Sequence, residues 1–175
     1  SNSDIILLPE MFSTGFSVKS THLAESMDGE TVCWMKSIAQ KKASVLCGSL
    51  MIKDADYVYN RLLWVEPNGR THHYDKRHLF SLLDESDQFT AGTERKIITY
   101  KGWKICPQIC YDLRFPVFSR NDLKYDLLMY VANWPERRIA AWNKLLQARA
   151  IENQAYVVGA NRVGEDVNSI RFTGQ

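Results

Sequence analysis

The sequence predicts an α/β domain in which helices pack against mixed β-sheet. Short apolar runs of β-prone residues, such as residues 5–8 and Leu127–Ala132, alternate with two segments of helical periodicity, Glu30–Lys42 and residues 136–153. Further strand-like runs are paired through turn residues, as in β-hairpins. Strands that alternate with helices and are interrupted by hairpins are typical of layered α/β domains with a mixed sheet.

The chain is predicted to open with a buried strand and a helix. Residues 5–8 are wholly apolar and are followed by Pro9, so a strand should end there and leave Glu10 at the mouth of a loop. A helix is predicted over Glu30–Lys42, where lysines at the end complement the helix dipole. The residues expected on its packed face are Trp34, Met35 and Ile38.

The middle of the chain is predicted to contain a strand and a hairpin. Residues 44–52 have strand composition, and residues 62–65 and 71–74 flank the turn sequence Pro-Asn-Gly at 67–69. Lys76 therefore lies just past the end of the second hairpin strand.

The last part of the chain is predicted to add a second hairpin, a buried strand, a helix and a final strand. The hairpin pairs residues 97–100 with Trp103–Ile109, and the buried strand is Leu127–Ala132. A helix should follow over residues 136–153 and a strand over 156–160. The apolar positions that predict this helix, spaced by three and four residues, are Ile139, Trp142, Leu146 and Ala150.

Composition favours one globular domain that acts on a small molecule. The chain has 175 residues, 45% hydrophobic and 24% charged, and its 22 basic and 20 acidic residues are mixed along the sequence. No basic stripe indicates nucleic acid or an anionic membrane, and the apolar runs are too short to span a bilayer. Four cysteines within apolar stretches indicate reduced thiols in a cytosol. They are Cys33, Cys47, Cys106 and Cys110.

Three potentially reactive residues, Glu10, Lys76 and Cys110, each follow a predicted strand. Open α/β sheets place their sites at strand ends, so we expect these side chains to converge. Taken singly, each has an ordinary interpretation: a core cysteine, a loop carboxylate and a solvated base. Together they form a chemical set, because thiolate attack on an amide needs a base for the thiol proton and a donor for the developing oxyanion.

Three ordered segments closely resemble the signature segments of the nitrilase, or carbon-nitrogen hydrolase, superfamily. They are Leu-Pro-Glu-Met-Phe-Ser-Thr-Gly-Phe at 8–16, Tyr-Asp-Lys-Arg-His-Leu-Phe at 74–80 and Ile-Cys-Tyr-Asp-Leu-Arg-Phe-Pro at 109–116. Further segments look like the superfamily's omega-amidase branch, which acts on 2-oxoglutaramate and related ω-amides. These are Thr-Ala-Gly at 90–92, Ala-Asn-Trp-Pro at 132–135 and Arg-Ala-Ile-Glu-Asn-Gln at 149–154.

The resemblance implies a fold, a mechanism and site residues. The fold is a four-layer αββα sandwich with mixed sheets. Glu10 is the general base, Cys110 the nucleophile and Lys76 the group that stabilises the tetrahedral intermediate, assisted by the backbone N–H of Tyr111; Glu85 matches the family's additional glutamate. A surface acid in the acidic stretch 84–87 is the alternative interpretation of Glu85. Ammonia leaves first, and water then cleaves a thioester, so no metal or organic cofactor is expected. A homodimer is also implied.

Other residues near these motifs have expected roles in support and in binding. Asp112 and Arg114 are expected to fix the turn around Cys110 by charge-assisted hydrogen bonds. A carboxylate on the substrate is a suitable ligand for a guanidinium fork, and an indole can wall the pocket. The candidates for those two binding roles are Arg137, Arg138 and Trp134. An exposed start to the next helix is an equally good interpretation of the two arginines.

Several alternatives stay open at this point. A papain-like protease would need one of four histidines to activate the cysteine, but none has the required local signature. A zinc site from Cys106, Cys110 and the histidine pair at 72–73 lacks a second paired motif. Relatives that hydrolyse nitriles or N-carbamoyl compounds share the same first steps, so the catalytic residues cannot separate them.

The extent of the domain is a separate expectation. Members of the superfamily ordinarily have a further strand and helix before Asp4 and more sheet after Gln175. We therefore expect residues 1–175 to form one carbon-nitrogen hydrolase domain that is partial, missing N- and C-terminal parts. A catalytically inactive, binding-only fragment is the alternative from a different functional class.

Overall fold

The structure, a computed structural model, describes residues 3–16 and 18–174; residues 1, 2, 17 and 175 lie outside the described part. A first sheet contains four strands: β1 (Ile5–Leu7), β2 (Val45–Asp54), β3 (Tyr57–Val65) and β4 (Thr71–Asp75). The strands are adjacent in that order, β1 parallel to β2 and the other pairs antiparallel. Strands β1, β2 and β4 therefore end at the same edge of the sheet.

A second sheet also contains four strands: β5 (Ile98–Tyr100), β6 (Trp103–Ile109), β7 (Leu127–Ala132) and β8 (Tyr156–Asn161). The first pair is antiparallel, and β6, β7 and β8 are parallel. A small antiparallel hairpin follows, made of β9 (Val163–Glu165) and β10 (Arg171–Thr173).

Two long helices and several short ones connect the strands. The α-helices are α1 (Glu30–Lys42), α2 (Glu85–Gln88), α3 (Pro116–Ser119) and α4 (Ile139–Asn153). The 3-10 helices are Val18–Leu23, Ser81–Leu83, Cys110–Arg114, Asn121–Leu123 and Glu136–Arg138. No helix in the described part of the chain is both long and apolar enough to cross a membrane.

The layers follow from the alternation of side chains along each strand. In β2, Val45 and Cys47 face the second sheet and pack with Met129 and Val131, whereas Leu46 and Leu50 face α1. Helix α4 covers the other face of the second sheet, with Trp142 buried against β7. The order is helix, sheet, sheet, helix, which confirms the αββα sandwich with mixed sheets.

Most predicted elements are confirmed, and one predicted packing face is partly wrong. The helix Glu30–Lys42 and the strand Leu127–Ala132 have the predicted bounds. Trp34, however, is 45% exposed and contacts the ring of Phe12 from the side of the helix, at 6.0 Å between ring centroids. The buried residues of α1 are Val32, Met35 and Ala39, whose three- and four-residue spacing defines the inward face.

The sequence did not predict the hairpin formed by β2 and β3. Its turn contains Ala55, a non-glycine residue with φ +53°, and no Asn-Gly or Pro-Gly pair marks it. The polar residues Asn60 and Arg61 also obscure the strand pattern, although both are buried in β3. The observed strand β3 begins at Tyr57, five residues before the start that the sequence predicted at residue 62. The β9–β10 hairpin was likewise not predicted, and the predicted helix at 136 opens as a 3-10 turn.

Burial of thiol and phenol groups predicts a loss of stability at alkaline pH. Burial raises the pKa of Cys106 to about 12 and also raises the pKa values of Cys47, Tyr125 and Tyr130. The unfolded chain ionises these groups near their ordinary values, about 8.5 for cysteine and about 10 for tyrosine. It therefore binds fewer protons than the folded chain above those values, and the free energy of unfolding must fall.

We expect the urea midpoint to be steady up to about pH 8 and to decrease progressively from about pH 9 to pH 10.5. Equilibrium unfolding followed by circular dichroism at constant ionic strength measures this. A midpoint that stays constant over the alkaline range would contradict the burial of these groups.

Candidate active site

The three predicted residues converge at the ends of strands from both sheets. Glu10 follows β1, Lys76 immediately follows β4, and Cys110 immediately follows β6. Glu10 and Lys76 are buried, whereas Cys110 is partly buried and lines a cavity. Because two of these strands belong to the first sheet and one to the second, the packing of the sheets assembles the site.

The ammonium of Lys76 lies between two buried carboxylates. Its Nζ is 2.9 Å from Glu10 Oε1, and it is 3.0 and 2.9 Å from the two side-chain oxygens of Glu85. Burial by itself lowers the pKa of Lys76, but the charges of Glu10 and Glu85 outweigh burial and raise that pKa. Lys76 is therefore protonated at neutral pH, and the carboxylates hold it in one position.

Glu10 is held through both carboxylate oxygens and through its backbone. Oε1 accepts a hydrogen bond from Asn60 Nδ2 at 2.8 Å as well as from Lys76, and Oε2 accepts one from the backbone N–H of Asn133 at 2.9 Å. The Asn133 side chain donates to the Glu10 carbonyl at 2.8 Å. These contacts fix the orientation of the carboxylate, as a general base requires.

The thiol of Cys110 lines the same cavity as Glu10 and Lys76, and its burial among their charges favours the neutral form. Burial raises the pKa of Cys110 well above its ordinary value, the Glu10 charge raises it further, and Lys76 lowers it only in part. Formation of the thiolate therefore requires a proton acceptor, and Glu10 is a carboxylate on the same cavity. The Cys110 backbone has φ +43°, a left-handed conformation that non-glycine residues seldom adopt and that is often found at functional sites.

Glu85 is a buried member of this cluster and not a surface acid. It opens α2, and its Oε2 accepts a hydrogen bond of 2.6 Å from the backbone N–H of Phe80 in addition to the contacts with Lys76. The sequence placed it in an acidic stretch, Asp84 to Asp87, where burial of one member was not evident. The position of Glu85 beside Lys76 agrees with the residue that the family resemblance selected.

A cavity of about 680 Å³ opens beside the cluster. Glu10, Lys76 and Cys110 line it, together with Tyr111 from the turn that follows Cys110. The three residues predicted to contact substrate, Trp134, Arg137 and Arg138, also line the cavity. Trp134 is fixed by a bond from its Nε1 to the Arg138 carbonyl at 2.9 Å. The structure thus brings seven of the eight predicted site residues to the cavity lining, and the eighth, Glu85, is fully buried and bonded to Lys76.

Similarity to known proteins identifies the family of this chain. The family model described as carbon-nitrogen hydrolase matches residues 1–175. The chain belongs to the carbon-nitrogen hydrolase family. It is 49% identical over 171 residues to the omega-amidase YafV of Escherichia coli K12, covering 98% of this chain and 66% of that protein. The chain therefore spans just under two thirds of the length of that relative.

Two further comparisons agree with this family. The 2-oxoglutaramate amidase of Bacillus subtilis is 34% identical over 178 residues, covering 99% of this chain and 68% of that protein. The crystal structure of XC1258 from Xanthomonas campestris, a CN-hydrolase superfamily protein with an arsenic adduct in its active site, superposes with a TM-score of 0.95. It is 47% identical, and the match covers 97% of this chain and 67% of that chain.

In this member of the carbon-nitrogen hydrolase family, Asp112 connects the cysteine turn to the lysine-bearing strand end. Its Oδ2 accepts hydrogen bonds from the Tyr74 hydroxyl at 2.7 Å and from the Ile109 N–H at 3.0 Å. Its Oδ1 accepts the His78 N–H at 2.9 Å and lies 2.8 Å from His78 Nδ1. Tyr74 and His78 flank Lys76 in sequence, so the carboxylate sets the spacing of the two segments, and its predicted role in the turn is confirmed.

Arg114 differs from the prediction. It was expected to fix the same turn, but its guanidinium makes no hydrogen bond or ion pair to any residue that the structure describes. Instead it is exposed, lines the cavity and lies 4.9 Å from the centroid of the Trp134 ring. The prediction that Arg114 fixes the turn is therefore wrong. The buried Asp112 holds the turn by itself, because it accepts the hydrogen bonds that the turn donates.

Gly92 packs closely against the backbone of the strand end that carries Lys76, which explains the glycine in the omega-amidase-like segment at 90–92. The Gly92 N–H donates to the Lys76 carbonyl at 2.9 Å, and its own carbonyl accepts from Arg77 Nη1 at 3.0 Å. A Cβ at this position would lie 2.1 Å from the carbonyl oxygen of Asp75. Only glycine allows the 90–92 segment to pack against the strand end that carries Lys76.

The alternatives with other chemistry are not supported by the geometry. His78, the histidine nearest in sequence to the lysine motif, bonds to Asp112 and stacks on Phe115 at 3.7 Å between ring centroids. Cys106 is buried in the apolar cluster beneath α4 and does not share the cavity with Cys110. Within residues 3–16 and 18–174, no group of three or more potential ligand side chains is placed to hold a metal ion.

Sequence analysis missed two site residues, Asn60 and Asn133. Asn133 lies within a segment that the family resemblance had selected, but a role in holding Glu10 was not evident from it. Asn60 lies in the part of β3 that was not predicted as a strand, so no signal marked it.

The state of the Cys110 thiol gives a testable prediction. Because burial and the Glu10 charge raise its pKa above 9, no Cys110 thiolate should be present at neutral pH. The thiolate ultraviolet absorbance, taken as the difference between the wild type and Cys110→Ser, should be near zero at about pH 7 and rise only above about pH 9. A difference signal at neutral pH would show instead a preformed pair of thiolate and Lys76 ammonium.

Proposed function

We propose that this protein is an ω-amidase: an amidohydrolase that cleaves the terminal amide of a small dicarboxylic acid monoamide, such as 2-oxoglutaramate, and releases ammonia. The observation that carries the proposal is the convergence of Cys110, Glu10 and Lys76 on one cavity, where the Lys76 ammonium is bonded to the Glu10 carboxylate. The names of the omega-amidase and 2-oxoglutaramate amidase relatives support the substrate class.

The arrangement supports a two-step mechanism. Glu10 accepts the thiol proton as the Cys110 sulfur forms a bond to the amide carbon, and the oxyanion is stabilised by Lys76 and the Tyr111 N–H. Tyr111 is the second residue of the 3-10 helix that Cys110 opens, and N–H groups in the first turn of a helix have no partner within it. The protonated Glu10 gives its proton to the leaving nitrogen, so ammonia and a thioester result.

The second step returns the enzyme to its starting state. Glu10 takes a proton from water as the water oxygen bonds to the thioester carbon, and the acid product leaves as the Cys110 sulfur regains a proton. Glu85 keeps Lys76 protonated and in place through both steps. No step calls for a metal or organic cofactor.

Substrate recognition is proposed for the cationic wall of the cavity. Arg137, Arg138 and Arg114 line it, and Trp134 lies beneath the Arg114 guanidinium. Arg114 is suited to a substrate carboxylate because it has no acidic partner among the described residues and lies four positions after the nucleophile. Arg138 is less free, since its guanidinium packs over the Phe80 ring at 5.1 Å.

We also propose a cytosolic homodimer. The four cysteines are free thiols, as expected for a reducing compartment. Next to the nucleophile turn, Val117 of α3 and Ile151 of α4 are 77% and 78% exposed, so apolar surface is available for a second subunit.

The activity is tested by ammonia release from 2-oxoglutaramate, glutamine, a simple nitrile and an N-carbamoyl amino acid. We expect turnover of 2-oxoglutaramate by the wild type and none by Cys110→Ala, because the variant lacks the nucleophile. Preference for the nitrile or the carbamoyl compound would assign the enzyme to another branch of the same family. Equal ammonia release by wild type and variant would disprove the mechanism, and no release from any compound would favour an inactive binding fragment.

The binding role of the cavity arginines is tested separately. Arg114→Ala should raise KM for a dicarboxylic acid monoamide about 10- to 100-fold, since a hydrogen bond to a charged group contributes about 1.5–3 kcal/mol. It should leave KM for a neutral aliphatic amide nearly unchanged. Arg70→Ala, at an exposed position outside the cavity lining, serves as the control, and Arg137→Ala and Arg138→Ala measure the share of the other two cavity arginines. An equal effect of Arg114→Ala on both substrates would exclude carboxylate recognition by this residue.

A further inference from the structure

The side chain of Asn60 contacts both buried carboxylates of the cluster. Its Nδ2 lies 2.8 Å from Glu10 Oε1 and 3.3 Å from Glu85 Oε1. An amide nitrogen carries two hydrogens, so each carboxylate can accept one of them. The backbone carbonyl of Asn60 also accepts the Lys76 N–H at 3.0 Å. One residue of β3 thus contacts all three charged members of the site.

The hydrogen-bond network determines the orientation of this amide. With oxygen and nitrogen exchanged, Asn60 would direct its Oδ1 at two carboxylates, which is unfavourable. In the observed orientation, Oδ1 is buried and has no hydrogen-bond partner in the part of the chain that the structure describes. An unpaired buried acceptor is costly. It is tolerated here because both N–H groups are directed at the carboxylates.

The charge balance of the cluster explains the need for such a donor. Two carboxylates share a single ammonium, which leaves one negative charge in excess in a buried site. A neutral amide stabilises that charge without bringing a proton that titrates in the working range. The titratable groups around it are Glu10, Glu85, Lys76 and Cys110.

We propose that Asn60 is a positioning residue that holds Glu10 and Glu85 ionised around Lys76 and keeps Glu10 available to the Cys110 thiol. For its catalytic readout, this inference rests on the amidase function proposed above. Asn60 is buried and is not among the described residues that line the cavity. It therefore acts through Glu10, and its loss should affect kcat and not KM.

The test compares Asn60→Ala, which removes both donors, with Asn60→Asp, which keeps the shape but replaces them with a further carboxyl group. Asn121→Ala is the matched control, because Asn121 also bonds through its side chain, to Tyr125 and Asn153, but does not line the cavity. Two quantities are measured: kcat and KM for 2-oxoglutaramate, and the rate of Cys110 alkylation by iodoacetamide from about pH 4 to pH 9. Circular dichroism at each pH identifies the range in which each variant is folded.

We expect kcat of Asn60→Ala to fall about 10- to 100-fold with KM within about twofold of the wild type. A carboxylate that loses a donor takes up a proton more readily, so the low-pH limb of the alkylation profile should move to higher pH. The shift should be larger in Asn60→Asp because of like-charge repulsion. Asn121→Ala should retain the wild-type profile even if its stability falls.

The proposal would be overturned if both Asn60 variants are folded and still show the wild-type alkylation profile. It would also be overturned if KM rises by the same factor by which kcat falls. If Asn60→Ala does not fold, the isosteric Asn60→Asp decides the question. If the wild type releases no ammonia from any amide while the alkylation profiles still separate, the amidase function fails and the role of Asn60 stands.

Discussion

The site depends on one interaction, the burial of a single ammonium between two carboxylates. Removing one partner of a buried ion pair typically costs about 3–5 kcal/mol, because the remaining charge is left without compensation. Loss of Lys76 would leave both Glu10 and Glu85 in that condition. Neighbouring hydrogen bonds add to this ion pair. Asn60 and the N–H of Phe80 donate to oxygens that Lys76 also contacts, and the N–H of Asn133 donates to Glu10 Oε2, which Lys76 does not reach.

The same cluster determines how the nucleophile is activated. Burial and the negative charge of Glu10 oppose ionisation of the Cys110 thiol, so the neutral thiol is the favoured form in the resting protein. In the proposed mechanism, the carboxylate that opposes ionisation also accepts the proton, which couples proton transfer to bond formation. A thiol held in this state is protected from reactions that require a free thiolate, and it becomes nucleophilic where an electrophile and Glu10 are present together.

The architecture and the chemistry are therefore inseparable in this protein. Glu10 and Lys76 belong to one sheet and Cys110 to the other, and Asp112 connects the two by bonding to Tyr74, His78 and Ile109. A shift between the sheets would separate the thiol from its base. The apolar layer between the sheets, which includes Val45, Cys47, Met129 and Val131, thus has a catalytic consequence although none of its members reacts.

The sequence by itself determined most of the elements and selected the candidate reactive residues. Apolar periodicity is a local property, so α1, β7 and both predicted hairpins could be located from it, and the three signature segments carried the cysteine, lysine and glutamate. Only the tertiary structure decided which polar residues support them. Asn60 and Asn133 are distant in sequence from Glu10 and become its neighbours through strand pairing and sheet packing. The hydrogen-bond partners of buried groups depend on tertiary contacts that local sequence does not encode. Arg114 therefore lies on the cavity wall and not in the turn where it was expected.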